Sequence, residues 1–88
     1  MGNNYPNPFN PITKFTYSLT EDVRVRITVY DIQGRAVKTL VDSEQSAGYK
    51  SIQWNATNDA GAPVSTGLYF YIIQAGNFNQ TKKMILLK

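Results

Sequence analysis

Neither cysteine nor histidine occurs anywhere in the 88 residues. Without cysteine the fold has no disulfide staple and no thiol nucleophile; without histidine it lacks the commonest general base and the commonest metal ligand. The six carboxylates fall almost entirely in polar turn segments, and spacing places no two of them as a facing pair. Serine and threonine nucleophiles have no base beside them except a lysine such as Lys82 next to Thr81. Enzymatic activity is therefore not expected, and neither a cofactor nor a metal ion is implied. The absence of cysteine leaves the compartment open, because oxidising compartments permit disulfides without requiring them.

Long apolar runs are missing too. No stretch approaches the ~20 residues of a membrane-spanning helix, and the N-terminus lacks the charged, apolar and small-residue succession of a signal peptide. Nine basic residues against six acidic ones give a net charge of +3. The basic residues are spread from Lys14 to Lys88 instead of forming a stripe, so nucleic acid is not an expected partner. A chain of this length makes one domain with one core and buries roughly 60 to 65% of the surface its unfolded form exposes. Stability on the order of 5 to 9 kcal/mol has to come from packing alone. Met1-Gly2 reads as an artificial start, and the chain as a domain excised from a longer protein.

What the sequence does contain is strand periodicity. Residues 3–11, Asn-Asn-Tyr-Pro-Asn-Pro-Phe-Asn-Pro, form a stiff, extended lead-in, since proline fixes φ and pushes each preceding residue away from helix. Tyr5 and Phe9 are unusual in a linker and are expected to pack on the domain, which itself occupies residues 12–88. Residues 12–19 alternate, with Phe15, Tyr17 and Leu19 on one face. Val23, Val25, Ile27 and Val29 form the cleanest alternation, opposed by Arg24, Arg26, Thr28 and Tyr30. Gly34 then supplies the positive φ of a tight turn, so this second strand and the third, residues 35–42, make a hairpin. The step from Val37 to Leu40 or Val41 violates alternation and calls for a bulge.

Residues 43–48 read as a polar loop, and residues 49–55 as a fourth strand with Ile52 and Trp54 inward; Trp54 is the candidate centre of the core. Residues 55–61 pack turn formers together. The segment has oxygen ligands but not the acid-rich spacing and closing glutamate of a calcium loop, and so reads as a plain turn. Pro63 and Val64 suit only a short edge strand. Residues 67–75 are apolar on both faces, which requires cover on both sides or a central strand with one face against a partner or a loop. Gly76-Asn77 signals a hairpin into the last strand, residues 78–88.

About seven short strands with regular turns and no helical periodicity predict an all-β fold, an immunoglobulin-like antiparallel β-sandwich. Tyr5, Phe9, Tyr30, Trp54, Tyr69 and Tyr71 could stack on sugar rings, but their alternation along strands favours core positions. Arg24 and Arg26 form a solvated outer face or a weak anionic contact. The final stretch, Lys82-Lys83-Met84-Ile85-Leu86-Leu87-Lys88, is the candidate functional element. Chain ends fray unless tied down, so an apolar run there is docked into the fold or offered to a partner.

Several motifs occur together in order: Tyr5-Pro-Asn-Pro-Phe-Asn-Pro11, Val29-Tyr-Asp-Ile-Gln-Gly-Arg35, Ala47-Gly48 before Trp54-Asn55, Gly67-Leu-Tyr-Phe-Tyr71, and Lys82-Lys-Met-Ile-Leu-Leu-Lys88. The set resembles the type A C-terminal sorting domain of the type IX secretion system. It covers nearly the whole chain and ends where such domains end. That family is similar in turn to the immunoglobulin-like domain of the flagellar hook-capping protein.

The resemblance implies a removable secretion signal at the C-terminus of a cargo protein of Bacteroidetes-type bacteria. Its partners would be the outer-membrane translocon, a shuttle protein and a sortase that removes the domain and attaches the cargo to anionic lipopolysaccharide. Cleavage would fall near or before Asn3. The protein would then be exported, in the periplasm during transit and afterwards at the cell surface or outside. Recognition is expected along Lys82, Lys83, Met84, Ile85, Leu86, Leu87 and Lys88, through strand addition or a groove that accepts the apolar residues and the terminal carboxylate. Lysines would supply charge and register, while the apolar residues divide between core and partner. Two alternatives stand beside it. A carbohydrate-binding or adhesive accessory module requires an exposed row of aromatics, and a hook-cap module requires further chain for polymerisation.

Overall fold

The alternating segments form six strands in the computed structural model, which describes residues 12–87: β1 (Thr13–Leu19), β2 (Val23–Asp31), β3 (Ala36–Gln45), β4 (Gly48–Trp54), β5 (Gly67–Ala75) and β6 (Phe78–Leu86). The proline-rich lead-in with Tyr5 and Phe9 lies outside the described residues, as does Lys88. All pairings are antiparallel. β1 and β4 make a two-stranded sheet, and the remaining four strands make a second sheet in the order β3-β2-β5-β6. No helix among the described residues is long and apolar enough to cross a membrane.

The two sheets pack face to face through the residues that alternation turned inward. Phe15 packs against Tyr71 with ring centroids 4.3 Å apart and the rings tilted by 53°, and Trp54 meets Tyr69 edge-on at 5.5 Å. Val29, Met84 and Leu86 complete that cluster, while Tyr17, Leu19, Val25, Ile27, Val41 and Ile73 make a second one along the sandwich. Trp54, expected at the centre of the core, is 1% exposed and donates its indole N–H to the Thr57 carbonyl at 2.8 Å. Tyr69 donates its hydroxyl to the Ser65 carbonyl four residues upstream at 2.6 Å. This ties the loop to the first turn of the strand, as the tyrosine corner of immunoglobulin-like sandwiches does.

β3 contains the expected irregularity, twice. Leu40 is extra between the pairs Ile27–Val41 and Thr28–Thr39, and Val37 is extra between Val29–Lys38 and Tyr30–Ala36. An extra residue lets neighbours in sequence face the same side. Leu40 and Val37 thus reach the core from the same strand as Val41. β3 also runs on to Gln45, beyond the expected end at Asp42, because Gln45 pairs with Val23 and accepts the Tyr17 hydroxyl at 2.5 Å.

The short edge strand expected at Pro63 and Val64 does not form, which leaves six strands instead of about seven; an isolated bridge joins Thr57 to Pro63. Pro63 has no N–H to contribute to a ladder. The preceding loop is closed by Asn58, which accepts from Ala60 and Ala62 through its side chain and from Gly61 through its carbonyl at 2.9 to 3.0 Å, and it is fastened to β3 instead of to a sheet edge partner, the Asp59 N–H donating to the Val37 carbonyl at 3.0 Å.

Candidate functional site

β6 lies at one side of the four-stranded sheet, with β5 as its strand partner there. Strand geometry sends successive side chains to opposite faces, and this splits the candidate element. Met84 and Leu86 point inward and are completely buried. Ile85 is 46% exposed on the outer face, Leu87 is 45% exposed just beyond the strand, and Lys83 is exposed. Lys82 shares the inward side with Met84 but sits at the rim, partly buried opposite Tyr71.

The terminal element therefore has a buried side and an exposed side on one backbone. Full burial of Met84 and Leu86 contributes roughly 1.5 to 3 kcal/mol each. Lys83, Ile85 and Leu87 are the side chains of this element, among the described residues, that a partner can reach. Thr81 and Lys82 occupy opposite faces, with Thr81 opposite Ile72 and Lys82 opposite Tyr71. This geometry does not bring the lysine to the hydroxyl.

Two further surfaces border β6, the second of which the sequence reading did not single out. On its outer side lies β5, where Leu68, Phe70 and Ile72 are half-buried while Tyr69, Tyr71 and Ile73 fill the core. Here the two-faced apolarity of β5 resolves into a central strand with one face on the core. Across the ladder Leu68 faces Ile85 and Phe70 faces Lys83. At the same end of the sheet, the β2–β3 turn presents Ile32, 69% exposed. An isoleucine within a polar, glycine-containing turn was the available signal.

That turn is built around Asp31. Its carboxylate accepts the N–H of Gln33 at 2.9 Å, the N–H of Arg35 at 3.0 Å and the Arg35 guanidinium at 3.1 Å. These bonds, the Arg35 N–H foremost, hold the Asp31 carboxyl below its ordinary pKa against an opposing desolvation effect. Gly34, at φ +82°, closes the turn.

At the opposite end a cleft of about 420 Å³ opens between Leu19, Val23, Ala75 and Phe78. Among the described residues the aromatics are divided between core and surface, with Tyr30 facing Phe70 across β2 and β5 on the outer face. Trp54, Tyr69 and Tyr71 are buried and Tyr30 is half-buried, while Tyr49, 93% exposed, stands on the other sheet. Arg24 pairs with Asp42 at 2.7 Å in a solvated ion pair across β2 and β3.

Six antiparallel strands in two sheets with a tyrosine corner define an immunoglobulin-like sandwich. The family model of the FlgD Ig-like domain matches residues 9–77, and the chain belongs to that family. Among solved structures, dimeric latent PorU from Porphyromonas gingivalis is similar with a TM-score of 0.73 at 23% identity, over 96% of this chain and 9% of that one. PorZ of the same organism, an essential bacterial surface component of the type IX secretion system, superposes with a TM-score of 0.67 at 18% identity, over 98% of this chain and 11% of PorZ. FlgD from P. aeruginosa gives 0.65 at 21% identity, covering 90% of this chain and 67% of its own. The chain thus spans about a tenth of PorU and PorZ. No curated protein sequence matches it.

Proposed function

We propose that the chain is a non-catalytic sorting domain that directs a cargo protein through the outer membrane by type IX secretion, where a sortase recognises and removes it before the cargo is attached to the cell surface. The observation that carries this reading is the division of β6: Met84 and Leu86 lock the strand into the core while Lys83, Ile85 and Leu87 remain presented. A signal that must survive the periplasm and still be read needs both properties in one segment. The ordered motifs from the lead-in to the terminal lysines support the same reading, as does the likeness of the fold to PorZ, a type IX component.

A hook-cap module is the second reading, favoured by the FlgD family match itself. The two separate in one experiment. A fluorescent reporter with a periplasmic export signal, fused ahead of residues 3–88, is expressed in a bacterium with a type IX translocon and in its translocon-deficient derivative. The sorting reading expects the reporter outside the first strain and in the periplasm of the second. Periplasmic retention in both would overturn it.

A further inference from the structure

Resting on the sorting-domain reading, we propose that the surface read by the secretion machinery is not the terminal strand alone but a composite of three elements. Ile32 of the β2–β3 turn, Leu68 of β5 and Ile85 of β6 form one apolar row, flanked by Lys83 and Arg35, that takes a protein partner with an apolar centre and an acidic margin.

The row is continuous. Ile32 and Leu68 line one shallow depression of about 230 Å³ together with Arg35 and Thr66. Leu68 is the direct cross-strand partner of Ile85, and Phe70, next on the same face, is the partner of Lys83. Side chains opposed in this way touch, with Cβ atoms roughly 5 Å apart.

Ile32 has no packing reason to be apolar, being 69% exposed. Yet its turn is held from both sides: the Asp31 N–H donates to the Arg35 carbonyl and the Gly34 N–H to the Asp31 carbonyl, both at 3.0 Å, in addition to the three bonds on the Asp31 carboxylate. An apolar side chain on a fixed turn is preorganised for contact, so a partner loses little by ordering it.

Charge chooses the partner. Lys83 is an exposed cation beside the row, and Arg35, also exposed, is paired through Nε with Asp31 at 3.1 Å. Asp31, the carboxylate that borders it, has both oxygens engaged by Arg35 and the turn. Asp42 and Glu44 lie further along the sheet, opposite Arg26 and Arg24. The Arg35–Asp31 pair cancels, so Lys83 gives the face its net positive charge, and that charge complements an acidic margin. A second copy fits poorly, because a two-fold contact places the same patch against itself and sets one Lys83-bearing face on another with no unpaired carboxylate between them. The apolar area is on the order of a few hundred Å², below the roughly 800 Å² per partner of a stable complex. That suits a contact made and released in transit.

The test uses the reporter fused to residues 3–88 in the type IX-bearing strain, carrying Ile32→Asp or Lys83→Glu, with Tyr49→Asp and Lys14→Glu on the other sheet as matched controls. Melting midpoints of the purified fusions verify folding, and Lys83→Glu decides the matter should Ile32→Asp lower its own. The expected result is wild-type export, a drop of about tenfold for Ile32→Asp and Lys83→Glu, and no change for the controls. Equal export of all five fusions overturns the composite surface and leaves the sorting role intact. Absence of export even for wild type removes the sorting role and this inference with it. A dimer in sedimentation that Ile32→Asp dissolves would assign the face to a second copy and overturn the acidic partner.

Discussion

Met84 faces Tyr69 across the β5–β6 ladder, the methionine completely buried and the tyrosine anchored by its hydroxyl to Ser65. The C-terminal strand and the corner that starts β5 thus share one piece of core. Removing the last residues would take Met84 and Leu86 out of that core, so a truncation conflates unfolding with loss of a signal. Substitutions on the exposed side of β6 avoid this.

Met84→Ala is expected to lower unfolding free energy by about 2 to 4 kcal/mol, the range for a large-to-small change in a closed core. Leu87→Ala, at a 45% exposed position, should change it by about 0.5 kcal/mol or less. Urea denaturation of the two variants measures the contrast, and equal effects would place Leu87 in the core.

Tyr69→Phe keeps the ring against Trp54 and removes only the bond to the Ser65 carbonyl. A loss of about 1 kcal/mol is expected, read in the same urea titration.

Asp31→Ala tests the turn by its pH dependence. The folded-state pKa of Asp31 is lowered, above all by the Arg35 N–H and then by the other donors. Its contribution is therefore fully present above the unfolded value, near 4, and is lost as pH falls through the lower folded value. Wild type should melt higher than Asp31→Ala at pH 7, and the gap should close as pH is taken below about 4. A gap that does not depend on pH would mean that the carboxylate's charge has no part in holding the turn.

Gly34→Ala places a side chain at φ +82° where nothing lies within 4 Å, so the penalty is one of backbone conformation alone. About 1 kcal/mol of destabilisation is expected, with Gly34→Asn costing less because asparagine tolerates this region; thermal melts rank the pair.

The sandwich was legible in the sequence because its core positions are set by alternation, as Val25, Ile27 and Val29 demonstrate, and its turns by glycine. The bulges of β3 could be anticipated from the spacing of Val37 and Leu40, since broken alternation on a buried strand has few solutions. Pro63 and Val64 were overread: Pro63 has no N–H for a ladder, and the Val64 N–H goes to the Ala56 carbonyl within the same loop. The terminal element and a division of its apolar residues between core and partner were expected, but not which of them turn inward, because burial of Met84 and Leu86 against exposure of Ile85 and Leu87 depends on which sheet face is covered. Ile32 escaped for another reason. It joins Leu68 and Ile85 only through the strand order β2-β5-β6, and strands far apart in sequence become neighbours by topology, which local patterns do not encode.

The most direct measurement of the central claim is the extracellular fraction of a reporter fused to residues 3–88, compared between a type IX-competent strain and its translocon-deficient derivative. The account predicts release or surface display in the first and periplasmic accumulation in the second. The same distribution of reporter in both strains would contradict it.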